Sequence, residues 1–569
     1  MSSVTSEQTK KTKVNSILPL DCIIEILEHL ENDSITPQTL YSCLLANRQM
    51  AKLTIPLLWR CPFGYKINAH KASHIFQTLV KCLKDDEKQR WIDIGIKTQS
   101  NSSLPLFDYP SYIRSLNTHN MQSCVSEWLE IFQDVSEPYK TEKMGFTINL
   151  IVQLIFSRSK GLETLRWDHD FNYNCNETND FRGIYPILRD IEHYDGIDRA
   201  LSSIKIFETQ CWDGLDEDSG KVLTNYIRTI SRYARNVHHI EFDVYLRLVN
   251  YKPLCEALAH FVESQAALRS IELFEWLDHS HSSSVYDSLR TQAHSLTSLR
   301  TNNLRFFHRL LPVLSNCPNL RILGITNFYE IENISPLMDS IQSLPPIHVT
   351  HLTANFHTHY EANCWHFSLV VQLLIRLSSK RLEFIKLDCI DAKIIETISQ
   401  FCPRIPFLSI HVTLKELPSL CTNLPLLNSL HHLILVIKSS TPESLTQLAQ
   451  SFPVSLKHLG VKITKTPELL GSLLENVKVK METLDCYNKV NNELIEIIVK
   501  FAKRNGKMKK LGVEDGKITF DDHGLTNEIS EVVSRFFEFV GEPSNSEICY
   551  IREHGYDDAN DDFEEFDLS

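Results

Sequence analysis

The chain has 569 residues, of which 43% are hydrophobic and 23% are charged, and its formal net charge is −13. This length allows several domains or one long repeat array, and the acidic balance argues against a nucleic-acid backbone as the main ligand, because phosphate binding needs clustered lysine and arginine. No run of 18 uninterrupted apolar residues occurs, so the sequence predicts no transmembrane helix and no membrane partner.

Residues 1–16 are polar and lack the apolar stretch of a secretion signal, so we expect a disordered tail there. The fifteen cysteines are spread singly and form no C-x-x-C pair, which favours a reducing compartment, cytoplasmic, nuclear or both. The cluster His357, His359, Cys364 and His366 superficially offers zinc ligands. It lacks a paired-cysteine framework and is interpreted as a polar loop. No metal site and no cofactor are therefore expected.

Three short helices are predicted within residues 17–63. The first opens at a Leu-Pro pair and the second at a Thr-Pro pair, with an inner face that extends to Asn47. The third ends near Pro56 and runs into Leu-Leu-Trp. So few residues can bury only a small core, so we expect this apolar surface to be shared with a partner. The residues that make up the pattern are Leu18, Pro19, the buried stripe Ile23, Ile26, Leu27 and Leu30, then Leu44, Leu58 and Trp59.

This arrangement resembles an F-box. The family pattern is a Leu-Pro pair, a helix with Ile and Leu at helical spacing, a stretch like Cys-Leu-Val-Asn-Arg, and a distal Leu-Trp. The chain matches that stretch at Ser42 to Arg48, and the resemblance covers only the first tenth of the sequence. It implies that the positions named above contact a Skp-type adaptor, and through it a cullin. An ordinary helical cap on a repeat domain is the alternative interpretation.

Residues 64–110 are interpreted as a linker or helical connection, and a repeated phrase follows over residues 111–540. Each phrase reads apolar, two variable residues, apolar, one variable residue, apolar, as in the leucine-rich repeat strand. Its last two apolar residues are two apart, so both point to one face of a strand. The phrases begin at Ile113, Leu162, Leu201, Val237, Leu268, Leu296, Leu320, Val349, Leu382, Ile405, Leu430, Leu456, Met481 and Met508.

The predicted fold class is α/β: a short three-helix F-box, then a leucine-rich repeat solenoid with parallel strands on its concave face and helices on its convex face. Phrases recur every 23 to 33 residues from Leu268 onward and every 31 to 49 residues before it, so insertions are expected in the N-terminal half. Helices are predicted over residues 368–377 and 442–449. A helical repeat array is the alternative, although the apolar residues follow period two. Residues 541–569 form an acidic tail.

An F-box followed by leucine-rich repeats resembles the substrate receptors of cullin ubiquitin ligases, most of all the large fungal families. The resemblance implies a non-catalytic specificity subunit that holds an unknown protein substrate near the ligase. A scaffold acting outside a ligase is one alternative. A hydrolase is another, although no G-x-S-x-G motif supports it. We expect substrate contacts at outward-facing variable positions of the last repeats: Lys457, His458, Glu482, Lys509 and Lys510.

Overall fold

The chain divides into two units in the computed structural model, Met1–Gln292 (unit 1) and Ala293–Ser569 (unit 2). The expected tails at residues 1–16 and 541–569 lie outside the described residues. The structure describes residues 19–32, 37–64, 69–93, 95–96, 105–133, 140–169, 191–215, 217–246, 252–275, 283–302, 307–327, 345–356, 364–388, 390–464, 469–487, 492–508 and 510–513.

Unit 1 begins with three short helices, as the sequence predicts. The third is capped by Asn47, whose Oδ1 accepts hydrogen bonds of 2.9 Å from the backbone N–H groups of Gln49 and Met50. Asn47 therefore does not extend the inner face of the second helix. The third helix also continues past Pro56 to Leu58, because a proline in the last turn removes only one intrahelical hydrogen bond. The helices are α1 (Leu20–Asn32), α2 (Pro37–Ala46) and α3 (Arg48–Leu58).

The apolar stripe of α1 is only partly buried, contrary to its prediction as one buried face. Leu27 is 2% exposed and Leu40 of α2 is also buried, whereas Ile26 is 50% exposed and Ile23 is half-buried. Consecutive helical residues point about 100° apart, and a three-helix core this small covers only the centre of the stripe. Apolar surface of α1 therefore stays open.

An aromatic cluster joins residues 64–110 to the repeat array. Phe76 lies on α4 (Ala69–Lys81), Trp91 on α5 (Asp85–Asp93) and Trp128 on α6 (Thr118–Gln133). The ring centroids are 6.2 Å apart for Phe76 and Trp91, 5.0 Å for Phe76 and Trp128, and 5.5 Å for the two tryptophans. All three side chains are buried, so the connecting helices share one core with the first repeat helix.

Arg60 fastens the N-terminal helices to the edge of the sheet of unit 1. Its carbonyl accepts hydrogen bonds of 2.9 Å from the backbone N–H groups of Arg114 and Ser115. Its guanidinium lies 2.7 Å from Oε2 of Glu163. The adjacent Trp59 ring packs on Tyr109 with centroids 4.4 Å apart. The segment after α3 is thereby held by backbone, charge and ring contacts together.

The predicted strands pair in parallel and in chain order within each unit. Unit 1 contains β1 (Ser115–Asn117), β2 (Thr164–His169), β3 (Ile206–Leu215), β4 (His239–Leu246) and β5 (Ser270–Glu275). Unit 2 contains β6 (Ser298–Thr301), β7 (Ile322–Asn327), β8 (His351–Phe356), β9 (Phe384–Leu387), β10 (Phe407–Val412), β11 (His432–Ile437), β12 (His458–Ile463), β13 (Thr483–Cys486) and β14 (Lys510–Val513).

Helices lie between most successive strands of the described chain. In unit 1 the further helices are α7 (Lys140–Arg158), α8 (Ile197–Ser202), α9 (Glu217–Tyr233), α10 (Lys252–Glu263) and α11 (Ser283–Ser288). In unit 2 they are α12 (Phe307–Asn316), α13 (Cys364–Ser378), α14 (Ala392–Phe401), α15 (Leu417–Asn423), α16 (Pro442–Ser451), α17 (Leu470–Asn476) and α18 (Asn492–Asn505). Each helix packs against the next along the chain from α6 to α11 and from α13 to α18. The predicted helices over residues 368–377 and 442–449 are confirmed within α13 and α16.

The phrase occupies each strand as predicted, with one exception. Elsewhere its middle apolar residue pairs with the middle residue of its neighbours, as Leu433 does with Leu459, and both are buried. The third phrase was wrong by three residues, because Leu201 lies in α8 and Phe207 pairs with the middle residue of β2. The correct third apolar position there is filled by Thr209, which is buried but not apolar. Because Thr209 is polar, the apolar pattern placed this phrase three residues too early.

Two buried glutamines satisfy the backbone where helices turn into strands of unit 1. Gln265 Oε1 accepts from the N–H of Val237 at 3.0 Å, and its Nε2 donates to the carbonyl of Ala234 at 3.0 Å. Gln292 Oε1 accepts from the N–H of Leu268 at 3.2 Å, and its Nε2 donates to the carbonyl of Gln265 at 3.0 Å. These side chains satisfy polar groups that would otherwise be buried without partners.

We expect Gln265→Leu to lower the free energy of unfolding of unit 1 by about 2–4 kcal/mol. The leucine has similar volume but leaves buried donors and acceptors unsatisfied, each at a cost of about 1–3 kcal/mol. Urea unfolding followed by far-UV circular dichroism measures the loss. Gln89→Leu, on the exposed surface of α5, is the matched control, and equal losses in the two variants would contradict the role given to Gln265.

We expect the Arg60–Glu163 pair to contribute stability at neutral pH that disappears in acid. Burial acts to raise the pKa of Glu163, but the hydrogen bond and charge of Arg60, together with the charges of Lys205 and Arg114, outweigh it, so the pKa lies below the usual 4.5. The stabilisation is therefore complete above pH 4.5 and is lost as the pH falls through the lowered pKa. Both side chains are about one-third exposed, so its size is about 1 kcal/mol or less.

Glu163→Gln tests this by urea unfolding at neutral pH and again well below pH 4.5. The variant should be less stable than the natural chain at neutral pH and equal to it in acid. Glu496→Gln removes a more exposed ion pair with Lys500 on α18 and should change stability at neither pH. A difference that persists unchanged in acid would refute the electrostatic explanation.

Candidate protein-binding face of unit 2

A column of five rings crosses the sheet face of unit 2 opposite the buried residues. Each ring is the first residue of its strand, from β8 to β12, and the strand register places each beside the next. We call this column the ring ladder. It consists of His351, Phe384, Phe407, His432 and His458, with successive centroids 5.5, 4.3, 5.9 and 5.2 Å apart.

The spacing of parallel strands explains why these rings stack. Neighbouring strands lie about 4.7–4.9 Å apart, so residues in register present flat rings at van der Waals distance. The two phenylalanines are nearly parallel, with an interplanar angle of 19°. His432 is exposed and the other rings are half-buried. Each stacked pair contributes about 0.5–1.5 kcal/mol beyond burial of area, and all five rings remain at least partly exposed.

Polar groups flank the ring ladder. Nε2 of His458 lies 2.7 Å from Oδ2 of Asp485 on β13. At the other end, Nδ1 of His351 lies 2.8 Å from the hydroxyl of Thr350. Burial lowers the pKa of His351 below its usual 6.5, against the opposing charge of Glu383. The His351 imidazole is therefore neutral at pH 7 and is an uncharged ring that can still form hydrogen bonds.

A glycine beside the ring ladder makes room for a further aromatic side chain. Gly460 lies on β12 next to His458, in register with Ile434 and Asp485. A Cβ at this position would lie 3.0 Å from Cε2 of Tyr487 and 3.1 Å from Cγ1 of Ile434. The absent side chain therefore lets the Tyr487 ring lie across the sheet, which extends the apolar part of this face.

Only part of the predicted substrate set joins the ring ladder. His458 is one of its rings, Lys457 is exposed just before β12, and Glu482 is half-buried just before β13. Lys510 is the first residue of β14, its side chain lies outside the described residues, and Lys509 lies outside them altogether. Phenylalanine and histidine rings, rather than the predicted lysines, therefore lie at the centre of this sheet face.

Sequence reasoning missed the other four rings, although a signal was present. Each ring is the third letter of its phrase, as in Leu382-Glu-Phe-Ile385 and Leu430-His-His-Leu433. The rings were missed because the third position of the phrase was treated as variable. A ring at the same letter of five consecutive phrases predicts a continuous column, because in-register strands place equivalent letters side by side.

The predicted adaptor residues lie on the N-terminal helices with unequal exposure. Pro19 is exposed and its carbonyl accepts a 3.2 Å hydrogen bond from the N–H of Ile23. Leu44, Leu58 and Trp59 are half-buried, and Trp59 already packs within its own chain. Leu18 and the side chain of Leu30 lie outside the described residues. Among the described side chains of α1 and α2, the large exposed apolar ones are Ile26 (50%), Tyr41 (57%) and Leu45 (66%).

The sheet face of unit 1 is polar instead. Glu208, His239 and Glu241 each bring one potential metal-ligand atom within 4.8 Å of the others. The carboxylates already have protein partners, since Arg166 NH1 lies 3.4 Å from Glu208 Oε2 and Gln210 Nε2 donates to Glu241 Oε1 at 2.6 Å. We interpret this group as a hydrogen-bonded network. Of the earlier zinc candidates, His357 and His359 lie outside the described residues, and Cys364 and His366 lie on α13.

Buried thiols fill the core of unit 2 rather than offering nucleophiles. Burial raises the pKa of Cys317 to about 11 and that of Cys402 to about 12. Burial together with the charge of Asp485 raises the pKa of Cys486 to about 12. A thiol reacts through its thiolate, so these three side chains are unreactive at neutral pH and act as small apolar residues.

Comparison with known proteins adds little. No family model and no curated protein matches the chain. A solved structure of the leucine-rich repeat-containing protein LegL7 from Legionella pneumophila is similar over 49% of this chain and 93% of that one, at 15% identity and a TM-score of 0.34. The leucine-rich repeat architecture follows from the in-register parallel strands and the apolar phrases of the chain itself. In the described part, no helix has the length and apolar character needed to span a bilayer.

We expect Gly460→Ala to lower the free energy of unfolding of unit 2 by about 1 kcal/mol or more, because the new methyl group overpacks against Tyr487 and Ile434. Urea unfolding measures the change. Gly64→Ala is the control, since a Cβ there would meet only Cys61 at an ordinary 3.5 Å. If the two variants lose equal stability, the close approach of Tyr487 is not what requires glycine.

Proposed function

We propose that this protein is a non-catalytic substrate receptor of a Skp–cullin–F-box type ubiquitin ligase. In this proposal the N-terminal helices bind a Skp-type adaptor and through it a cullin, and the ring ladder binds a protein substrate. The ring ladder is the observation that carries the receptor role, because five rings held half-open on a sheet are what a protein-binding face needs. A cytoplasmic or nuclear location follows from this role.

Exposed apolar side chains support the adaptor part of the proposal. Ile26, Tyr41 and Leu45 are at least half exposed on helices that have only a small core of their own. Clustered exposed apolar residues mark interaction sites. Ile26 and Leu45, together with the Leu18-Pro19 pair and the distal Leu58-Trp59, lie at positions of the F-box family pattern.

The chemistry of the ring ladder supports the substrate part. Aromatic side chains are enriched in the energetically important centres of protein interfaces. Stacked rings also lose little side-chain freedom when a partner binds, because their rotamers are already held by their neighbours. A protein segment with apolar or aromatic side chains is the ligand such a column favours.

Affinity purification of the tagged chain from eukaryotic cells under proteasome inhibition tests both parts at once. We expect Leu18→Ala with Pro19→Ala, and separately Ile26→Glu with Leu45→Glu, to abolish recovery of adaptor and cullin while circular dichroism of the repeat array is unchanged. Leu106→Glu is the control, since Leu106 is 92% exposed outside these helices. Undiminished recovery from both double variants would refute the adaptor role.

The same purification with Phe384→Ala and Phe407→Ala should reduce the captured substrates at least tenfold and leave the adaptor bound. The control pair is Leu426→Ala with Val454→Ala, which are exposed apolar residues outside the ring ladder. An unchanged set of captured proteins would contradict the role of the ring ladder. Substrates that depend on the ring ladder, recovered without adaptor or cullin, would favour the alternative of a scaffold acting outside a ligase.

A further inference from the structure

A basic groove lies between two helices of unit 1, away from its strands. Arg228 and Arg232 project from α9, and Arg235 follows two residues after that helix ends. All three are exposed. The groove has a volume of about 460 Å³ and is completed by α10. We call it the arginine groove, and its lining is Arg228, Arg232, Arg235, Glu256, Ala257 and His260.

Two of the three arginines lie one turn apart on α9. Arg228 and Arg232 have i, i+4 spacing, so their side chains leave the same helical face, about 6 Å apart along the axis. Arg235 lies beyond the end of the helix and completes the lining from the segment that follows it. The facing helix contributes Ala257, which is 3% exposed and small enough to leave space between the helices. Arginine guanidiniums therefore line one part of the groove, and a small buried side chain lies at its base.

The arginines of the groove have no ion-pair partner in the part of the chain that the structure describes. No carboxylate there lies within ion-pair distance of Arg228, Arg232 or Arg235, and the hydrogen bond of the Arg228 side chain is to Oδ1 of Asn225, at 3.5 Å. The one carboxylate of the groove, Glu256, lies 3.7 Å from Nζ of Lys252 instead. Like charges at this helical spacing repel one another. Their clustering on a chain of net charge −13 indicates that an anion completes the site.

Favourable interaction with the dipole of α9 explains only part of the cluster. A cation in the last turn of a helix is stabilising, and Arg232 lies in that turn. Arg228 lies a full turn earlier, where this interaction is weak. The helix end therefore does not account for the cluster as a whole.

We propose that the arginine groove binds an acidic peptide segment of a partner protein, with carboxylates seated on the three guanidiniums. The planar fork of arginine matches the two oxygens of a carboxylate. Alternate side chains of an extended peptide point to the same side, so a run of about five residues with Asp or Glu at alternate positions presents three carboxylates to the groove. The carboxylate of Glu256 in the groove lining can accept a hydrogen bond from a peptide N–H, a donor that a polyphosphate chain lacks.

This site is independent of the ring ladder and of the adaptor-binding helices. It goes beyond the proposed receptor role by adding a second, electrostatic contact for an acidic protein. Such contacts act mainly by raising the rate of encounter and by selecting partner segments whose charge is opposite to that of the groove.

Fluorescence anisotropy with the full chain tests the proposal. The probe is a labelled short peptide with aspartate or glutamate at alternate positions, and its counterpart with asparagine or glutamine at those positions is the uncharged reference. We expect saturable binding of the acidic probe at low salt, no binding of the reference, and weakening as salt screens the charges. Absence of saturable binding at about 50 mM salt, where the screening length still exceeds 10 Å, would overturn the proposal.

The variant Arg228→Gln, Arg232→Gln, Arg235→Gln should weaken binding of the acidic probe at least tenfold. The matched control is Arg290→Gln, Arg404→Gln, Lys393→Gln, which removes the same charge from exposed positions elsewhere. Equal weakening in both would assign binding to overall charge and overturn the proposal. Should the triple variant lose structure by circular dichroism, Arg228→Gln alone replaces it, with an expected weakening of at least threefold.

A labelled single-stranded oligonucleotide provides the last arm. Tighter binding of this oligonucleotide than of the acidic peptide, lost in the groove variant and kept in the control variant, would reassign the groove to nucleic acid and overturn the proposal. Weaker binding than the peptide supports it.

Discussion

In-register parallel pairing is the constraint on which the rest of unit 2 depends. Each strand brings the middle apolar residue of its phrase opposite the same residue of its neighbours, as Leu433 meets Leu459. Side chains alternate along a strand, so burial of that column on the helix side also determines which residues lie on the opposite face of the sheet. The residues just before the middle position of each phrase therefore form a second column. The ring ladder is therefore a consequence of core packing.

The sequence predicted the strands well because the apolar phrase is set by burial, which is local and periodic. It failed at Leu201, since the repeat there contains a buried threonine, Thr209, where the pattern expects an apolar residue. It also misjudged α1, where helical spacing identifies a face but not how much of it a small core can cover. Ile26 and Leu27 are adjacent in sequence and opposite in exposure for this reason.

The candidate sites were harder to predict than the fold, for two different physical reasons. The ring ladder requires attention to letters that the repeat pattern leaves variable, and its column exists only once the register is known. The arginine groove requires knowing which helix lies beside α9, since Arg228 and Arg232 are followed in sequence by a strand before His260 appears on α10. Packing between helices of successive repeats is a tertiary property that a one-dimensional pattern does not contain.

The buried glutamines of unit 1 have a consequence for how the repeats come apart. Gln292 binds the carbonyl of Gln265, which in turn binds the backbone at Ala234 and Val237. Opening any one of these turns leaves a buried polar group of the neighbouring repeat without its hydrogen-bond partner. Local opening of one repeat therefore destabilises the next. In a linear array whose repeats contact only their neighbours, this coupling lengthens the segment that unfolds cooperatively. Amide hydrogens of α9, α10 and β4 would then exchange with solvent together, as one unit of protection.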